Sequence, residues 1–182
     1  MQPVEDALRG DFIPALFDFD KSEEVSDEFR TLISQGVKAG GLAIRNPVSA
    51  APGMHKVSVD STTLLVESLL NGGELDLEAH AGTVREVGKE YRKERFNEEK
   101  EKTEEIARVK GAKVKKRLRR CPFNGTWLTA PADRFSGTIL TYQEWNDNLR
   151  LRYGLPLIGL PSTCDGCAKR FTVDHALNCK CG

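Results

Sequence analysis

The sequence predicts a mainly α-helical protein with a helical N-terminal part, a long charged helix and a small C-terminal module rich in cysteine. Three observations lead to this fold class. Apolar residues recur at helical spacing early in the chain, residues 97–105 carry almost nothing apolar, and four of the five cysteines fall within eighteen residues near the C-terminus. We therefore divide the chain into residues 1–74, 75–121 and 122–182.

Helices broken by turns account for residues 1–74. A first apolar face is interrupted near Pro14, and either Ser22 or Ser26 can cap a second helix. Pro47 and Pro52 predict a loop. After them the sequence predicts a well-buried helix from about residue 54 to residue 70, which Asn71-Gly72-Gly73 ends. Its apolar residues are Val57, Leu64, Leu65, Val66, Leu69 and Leu70.

Residues 75–121 predict one long charged helix, or two helices in line. The segment 97–105 should stand in water, supported by charge pairs such as Glu98–Lys102. Gly111 is a weak point at which the helix can bend, and Pro122 is expected to end it. Further on, Thr141 and Glu144 form a capping box that opens a helix before Gly154.

A basic run near residue 115 suggests contact with nucleic-acid phosphates, because each neutralised phosphate releases counterions and favours binding. The same run also suits a nuclear import address, or a solvated helix end that balances the glutamates upstream. A protein partner could instead dock on the long charged helix. The basic residues concerned are Lys113, Lys115, Lys116, Arg117, Arg119 and Arg120.

The C-terminal cysteines have the spacing of a metal site. Cys164 and Cys167 are separated by two residues, and His175 and Cys179 sit one turn apart if the chain is helical from about Thr172. Thiolate and imidazole are the ligands that zinc takes at a tetrahedral, structural site. We therefore predict a zinc-binding module. Incidental thiols and a redox pair are the alternatives, and the spare Cys181 competes with the preferred Cys179 as fourth ligand.

Catalysis finds no support in the sequence. A zinc deaminase needs a glutamate two residues after its histidine, and none of the three histidines has one. The chain contains no phosphate loop, dinucleotide fingerprint, nucleophile triad or carboxylate pair. Cys121 is expected to be a partly buried helix-end thiol, and His55 and His80 ordinary packing or surface residues. We expect no enzyme, no catalytic residue and no small-molecule substrate.

Composition and charge limit the partners and the compartment. The formal net charge is zero, but acidic and basic residues are segregated along the chain, which leaves room for nucleic acid. No apolar stretch approaches the roughly 20 residues of a membrane span, and the N-terminus lacks a secretory apolar region. We therefore expect an intracellular, reducing compartment, in which clustered cysteines bind metal more often than they form disulfides, and the basic run favours the nucleus over the cytoplasm.

Several segments together resemble reverse-transcriptase-like proteins of non-LTR retroelements. Residues 40–47, Gly-Gly-Leu-Ala-Ile-Arg-Asn-Pro, preceded by residues 12–16, Phe-Ile-Pro-Ala-Leu, look like the region downstream of the polymerase core. Residues 127–129 and 149–154 are similar to the stretch before the terminal zinc finger of these proteins. Residues 164–179, from Cys-Asp-Gly-Cys to the final cysteine, look like that CCHC-type finger itself.

The resemblance implies a nucleic-acid-binding finger with ligands Cys164, Cys167, His175 and Cys179. No Asp-Asp pair occurs, so the polymerase carboxylates are absent, and the family sequence would continue beyond Gly182. We therefore expect a C-terminal piece or remnant without polymerase activity. It would bind RNA or DNA through the basic run, with Lys169 and Arg170 placed by the knuckle. The rival interpretations are a structural or protein-interaction module, and a decayed reading frame without selected function.

Overall fold

The computed structural model describes residues 1–20 and 23–181, and within them the protein is mainly helical, as predicted. Helix accounts for 67% of the structure, and the described residues form no strand. The chain divides into two compact units, Met1–Pro131 and Ala132–Gly182. The helices are α1 (Gln2–Ala7), α2 (Ile13–Phe17), α3 (Asp27–Ser34), α4 (Pro47–Asn71), α5 (Leu77–Lys110), α6 (Ala112–Asn124), α7 (Tyr142–Tyr153) and α8 (Val173–Asn178).

A small apolar core gathers α2 and α3 in the first unit. Ile13, Phe17 and Ile33 are fully buried, and the Phe17 ring stacks near Phe19 and meets Phe29 edge-on. A π-helical turn, Leu8–Phe12, joins α1 to α2 where the sequence predicted an interruption. Of the two proposed caps for α3, Ser26 accepts a hydrogen bond from the Phe29 backbone N–H at 3.2 Å. Ser22 lies outside the described residues.

A buried ion pair ties α1 to α3. The Arg30 guanidinium donates to both carboxylate oxygens of Glu5, at 2.7 and 2.6 Å, and a third N–H reaches the carbonyl of Ile44. Both side chains are almost completely buried. Paired charges of this kind are tolerated in an interior only with such complete hydrogen bonding. The fork of Arg30 therefore holds α1, α3 and the segment before α4 together.

Two predictions about residues 47–70 are wrong. Pro47 and Pro52 do not mark a loop: Asn46 caps α4, Pro47 occupies its first turn, and Pro52 lies inside the helix. A proline in the first turn loses no hydrogen bond, because that N–H has no partner within the helix. Nor is α4 well buried, since none of its residues reaches full burial. Gly72, with φ 64°, ends the helix as expected.

The long charged helix is two helices. Gly111 adopts φ 86°, which an L-residue rarely does, and separates α5 from α6. The Glu98–Lys102 pair forms at 3.8 Å, as predicted. Segment 97–105 does not simply stand in water, because the Thr103 hydroxyl donates to the carbonyl of Ala39 and Glu99 accepts from the Gly36 N–H. Helix α6 also continues past position 122, where the proline was expected to end it.

The second unit is built around α7. Thr141 and Glu144 form the predicted capping box, and Gly154 with φ 70° ends the helix. Leu149 is fully buried, and the Nε of Arg150 donates to the carbonyl of Pro156 at 2.6 Å. That bond turns the chain back after the helix and leads it toward the cysteine-rich segment. Among the described residues, no helix is long and apolar enough to cross a membrane.

Candidate metal centre

A tight loop presents the first two cysteines. The backbone N–H of Cys164 donates to the carbonyl of Lys169, and the N–H of Ala168 donates back to the carbonyl of Cys164, both at 2.8 Å. Ala168 takes a left-handed conformation, φ 56°, that closes the turn. An isolated antiparallel bridge between Thr163 and Arg170 extends the hairpin by one pair. The loop therefore turns two sulfurs that are three positions apart toward the same side.

Helix α8 presents the histidine and the third cysteine. The Thr172 hydroxyl accepts from the backbone N–H of His175 at 3.0 Å and caps the helix. Because His175 and Cys179 are four residues apart at one end of this helix, their side chains project from the same face. The sequence predicted this arrangement on the condition that the chain be helical from about Thr172.

Four ligand atoms converge between the loop and α8. The Sγ of Cys164, Cys167 and Cys179 and a ring nitrogen of His175 all lie within 4.8 Å of one another. The cluster of Cys164, Cys167, His175 and Cys179 could therefore hold a metal ion. It unites the four residues that the sequence analysis nominated. Cys181 is exposed and lies outside the cluster.

The spacing of the sulfurs fits a tetrahedral ion. Zinc–sulfur bonds of about 2.3 Å at tetrahedral angles separate two sulfurs by about 3.8 Å. The Cys164 and Cys179 sulfurs are 3.7 Å apart, and those of Cys179 and Cys167 are 3.9 Å apart. The Nε2 of His175 lies 3.2 Å from the Cys167 sulfur, somewhat closer than an ion between them would leave it. These three distances are thus within a few tenths of an ångström of those at a tetrahedral zinc ion.

Hydrogen bonds prepare one of the thiols for metal binding. The backbone N–H of Cys167, the side chain of His175 and the backbone N–H of Gly166 lower the pKa of Cys164 to about 6. At Cys167 the Lys169 backbone N–H lowers the pKa, but burial and the neighbouring thiols outweigh it and raise the pKa overall. Since the thiolate is the form that binds metal, the lowered pKa of Cys164 favours metal binding by this thiol near neutral pH.

Gly166 is required by the close packing of the knuckle. A Cβ at this position would lie 2.7 Å from the carbonyl oxygen of Cys181 and 3.0 Å from its Cβ. Cys181 therefore has a packing role against the loop. The thiol of Cys181 is evident in the sequence as a spare ligand, but its backbone contact with the loop is not, because no spacing rule reveals it. Apolar packing around the cluster is thin, because Phe171 is half-buried beside the His175 ring but Leu177 is 78% exposed.

The residues predicted to bind nucleic acid lie in two different parts of the protein, the loop of the metal cluster and α6. Lys169 and Arg170 are exposed on the loop of the metal cluster, in the second unit. The other six lie on α6 in the first unit. Five of these are exposed and Arg117 is half-buried; the exposed residues are Lys113, Lys115, Lys116, Arg119 and Arg120.

Helix α6 is amphipathic. Val114, Leu118 and Cys121 recur at intervals of four and three residues, and the last two are buried. Helix α6 packs on the turn Val37–Ala39, and a Cβ on the adjacent Gly40 would come within 2.8 Å of Leu118. Cys121 is thus the buried helix-end thiol that the sequence predicted. Docking of this face leaves the cations on the opposite face in water.

The glutamates of α5 do not neutralise the basic face of α6. Three glutamates of α5 pair with cations of the same helix, namely Glu99 with Arg95, Glu98 with Lys102 and Glu105 with Arg108. Lys110, the last residue of α5, pairs with Glu28 instead. Throughout the described ranges, none of the five exposed α6 cations forms a salt bridge. The balance of charge expected under the solvated-helix interpretation is absent from these contacts.

A polar cleft of about 350 Å³ lies between α4 and α5, which the sequence did not reveal. Its lining mixes charges of both signs, among them Arg45, Lys56, Asp60, Glu90 and Glu94. Charges of both signs at similar number give the cleft no preference for an anion or a cation. Comparison of the chain with protein-family models, curated proteins and solved structures gave no match.

Proposed function

We propose that this protein binds RNA or DNA through a zinc-stabilised C-terminal knuckle and the basic face of α6. The observation that carries the proposal is the convergence of three sulfurs and one imidazole nitrogen within 4.8 Å, with cations exposed on the same loop. A closed four-ligand site is structural, because no coordination position is left for water or substrate. The metal would therefore hold the loop in shape, and the protein side chains would make the contacts.

Zinc is the ion that this donor set favours. Thiolate ligands select soft or borderline metals, and tetrahedral sites with sulfur and nitrogen donors are typical of zinc. Carboxylate-binding ions such as magnesium and calcium find no oxygen ligand in the cluster. When bound, zinc would supply folding free energy to a segment that has almost no apolar interior.

Phosphate binding is the role proposed for the exposed cations. The knuckle offers Lys169 and Arg170, with Lys180 nearby in sequence, and α6 offers five exposed cations that form no salt bridge with any described residue. Lysine and arginine bind phosphate with little dependence on base sequence, so the affinity should fall steeply with salt. The proposal includes no catalytic step and no small-molecule substrate.

The retroelement resemblance belongs to the same proposal. We infer that the knuckle is the terminal finger of a reverse-transcriptase-like protein, supported by residues 164–179 and by the motif at residues 40–47. The motif at residues 40–47 also has a structural role. A Cβ on its Gly41 would lie 2.1 Å from the carbonyl oxygen of Gln35, so the position requires glycine. An intracellular, nuclear location follows from the same proposal.

Zinc content is the first test of the metal site. Chelator-washed protein, purified reduced, should contain about one zinc per chain. Cys164→Ser and Cys179→Ser should each reduce that content strongly, whereas the matched control Cys181→Ser should keep it. Loss of zinc in Cys181→Ser with retention in Cys179→Ser would overturn the ligand set.

A salt titration tests nucleic-acid binding. For zinc-loaded protein on single-stranded RNA and duplex DNA, the logarithm of the binding constant should fall linearly with the logarithm of salt concentration. Substituting Lys115, Lys116 and Arg119 by Ala should reduce the slope by about two to three.

The control for that titration removes three exposed cations from another helix, with Lys89, Arg92 and Lys93 each changed to Ala. It alters the net charge equally and should leave the slope unchanged. Equal loss in the two triple variants would mean that only overall charge matters. Salt-insensitive binding of the unsubstituted protein, or none at micromolar concentration, would refute the proposal.

A further inference from the structure

The basic face of α6 carries an aromatic ring. Helix α6 runs from Ala112 to Asn124, so Phe123 is in its last turn rather than beyond its end. Phe123 follows Leu118 by five positions, nearly one and a half turns of helix, and it therefore points away from the side on which Leu118 is buried. The Phe123 side chain is 80% exposed. The ring thus lies on the cation-bearing side of the helix.

Cations surround this ring along the helix. Arg119 and Arg120 precede Phe123 by four and three positions, which places them on the same face, and Lys116 lies about two turns before it. The sequence of α6 contains no Asp or Glu. A single exposed apolar side chain is ordinary on a protein surface. What distinguishes Phe123 is its position in the middle of a face whose charges are all positive.

Two other exposed phenylalanines have acidic neighbours instead. The carboxylate of Asp133 accepts a hydrogen bond from the backbone N–H of Phe135 at 3.2 Å. Phe96 on α5 is followed three positions later by Glu99, which lies on the same face of that helix. A carboxylate beside the ring repels a phosphate that approaches it. The surroundings of Phe123 are therefore better suited to a polyanion than those of either other ring.

Cations around an exposed aromatic ring match the chemistry of single-stranded nucleic acid. Proteins that bind single strands hold the phosphates with Lys and Arg and stack the bases on aromatic side chains. In a duplex each base is already stacked between its neighbours, and inserting a side chain costs the free energy of unstacking them. An unpaired base carries no such cost, because its flat face is free.

We propose that Phe123 is a stacking platform for an unpaired base of single-stranded RNA or DNA, whose phosphates contact Lys116, Arg119 and Arg120. The inference rests on the proposed function, since the basic face of α6 supplies the phosphate contacts, and it adds the preferred form of the nucleic acid. Stacking tolerates any sequence, because every base has a π face. The site should therefore prefer single strands without reading the order of their bases.

Two other occupants fit this face less well. A membrane-surface helix inserts its apolar face into the lipid, but the apolar face of α6 is occupied, because Leu118 and Cys121 are buried. A second copy of this chain would bring five exposed cations against the same five, and like charges in contact disfavour such an interface. A strand of phosphates meets neither obstacle.

Abasic oligonucleotides separate stacking from phosphate contacts, because they keep the phosphates and lack the bases. The full zinc-loaded chain should bind oligothymidylate about five- to 100-fold more tightly than an abasic strand of the same length. Phe123→Ala should lose that difference and bind the abasic strand as the unsubstituted chain does. The dependence of affinity on salt should be the same for both proteins, because no charge is removed.

Conservative variants test whether the aromatic face is the feature that matters. Phe123→Trp should retain the preference for oligothymidylate, whereas Phe123→Leu, which is apolar without a π face, should lose it. The matched control Phe135→Ala removes an exposed ring beside a carboxylate and should keep the full affinity. Binding of Phe123→Ala to duplex DNA should change by less than about two-fold, since no base face is available there.

The outcomes distinguish this inference from the function on which it rests. Equal affinity of Phe123→Ala and the unsubstituted chain for oligothymidylate would overturn the inference, while salt-dependent binding by both would leave the proposed function intact. Equal weakening on the abasic strand would also overturn it, since the substitution would then act on the helix and not on a base. So would Phe123-dependent pelleting with phosphatidylserine vesicles at unchanged strand affinity, which would assign the ring to lipid.

Discussion

The N-terminal core and the metal module each depend on a different stabilising interaction. In the first, Ile13, Phe17 and Ile33 are fully buried and a bidentate ion pair closes the packing. In the second, no described residue after Arg150 is buried, and the four candidate ligands are only half-buried. Burial of apolar side chains supplies folding free energy to the N-terminal core, whereas a segment that buries so little must take its folding free energy from the metal.

Removing zinc should have the largest effect and should act on one region only. Zinc binding to a short module is coupled to its folding by about 10 kcal/mol or more. Chelation should therefore unfold residues 160–181 and leave the core of α2 and α3 intact. Amide NMR spectra would show the loss of dispersion for the module alone. Collapse of resonances from the N-terminal core as well would contradict the separation of the two regions.

Breaking the buried ion pair should have the reverse effect. Glu5→Gln leaves the Arg30 guanidinium buried without its counter-charge, at a cost of about 3–5 kcal/mol in unfolding free energy. Urea denaturation followed by circular dichroism measures this cost. Zinc content should not change, because the ligands belong to the other unit. As a control, Asp27→Asn removes the exposed partner of Arg9 and should cost less than about 1 kcal/mol.

Gly40→Ala tests how α6 is docked. Gly40 has φ 99°, and a Cβ there would come within 2.8 Å of Leu118. Backbone strain of about 1–2 kcal/mol therefore adds to the displacement of a buried side chain. The matched control is Gly72→Ala, which has φ 64° and nothing within 4 Å, so that only the strain remains. Equal destabilisation of the two variants in urea would show that α6 does not pack on this turn.

The smallest predicted effect concerns the cap of α7. Thr141→Ala removes the hydroxyl that accepts from the Glu144 N–H and should cost about 1 kcal/mol. Hydrogen exchange at the first turn of α7 should accelerate accordingly. Thr138→Ala, in the preceding turn, controls for the loss of a hydroxyl outside the helix. Because the cap is in the second unit, exchange in α3 should not respond.

Some features could be predicted because they depend on a few neighbouring residues. The capping box, the Gly72 and Gly154 helix ends and the Glu98–Lys102 pair are all local, and each is confirmed. The metal cluster was also accessible from sequence, because ligand type and short spacing leave few alternative arrangements. Nucleic-acid binding and the retroelement resemblance stay predictions.

Other features escaped because their signal is ambiguous in sequence. A proline such as Pro47 occurs both in loops and in the first turn of a helix. In this protein the Asn46 side chain caps α4, and Pro47 is in its first turn. The apolar run of α4 predicts burial only if a partner covers both sides, and α5 covers one. Position 122 is inside α6, although a proline there usually ends a helix.

By itself the sequence determined the mainly helical class, several helix ends such as those at Gly72 and Gly154, and the set of residues able to hold a metal. These follow from backbone propensities, caps and ligand chemistry acting within a few residues. Only the tertiary structure decided which faces are buried: that Gly40 contacts α6, that Arg30 reaches Glu5, and that the five exposed cations of α6 form no salt bridge within the described part of the chain. Burial depends on contacts between distant segments, and a linear pattern does not specify which segments meet.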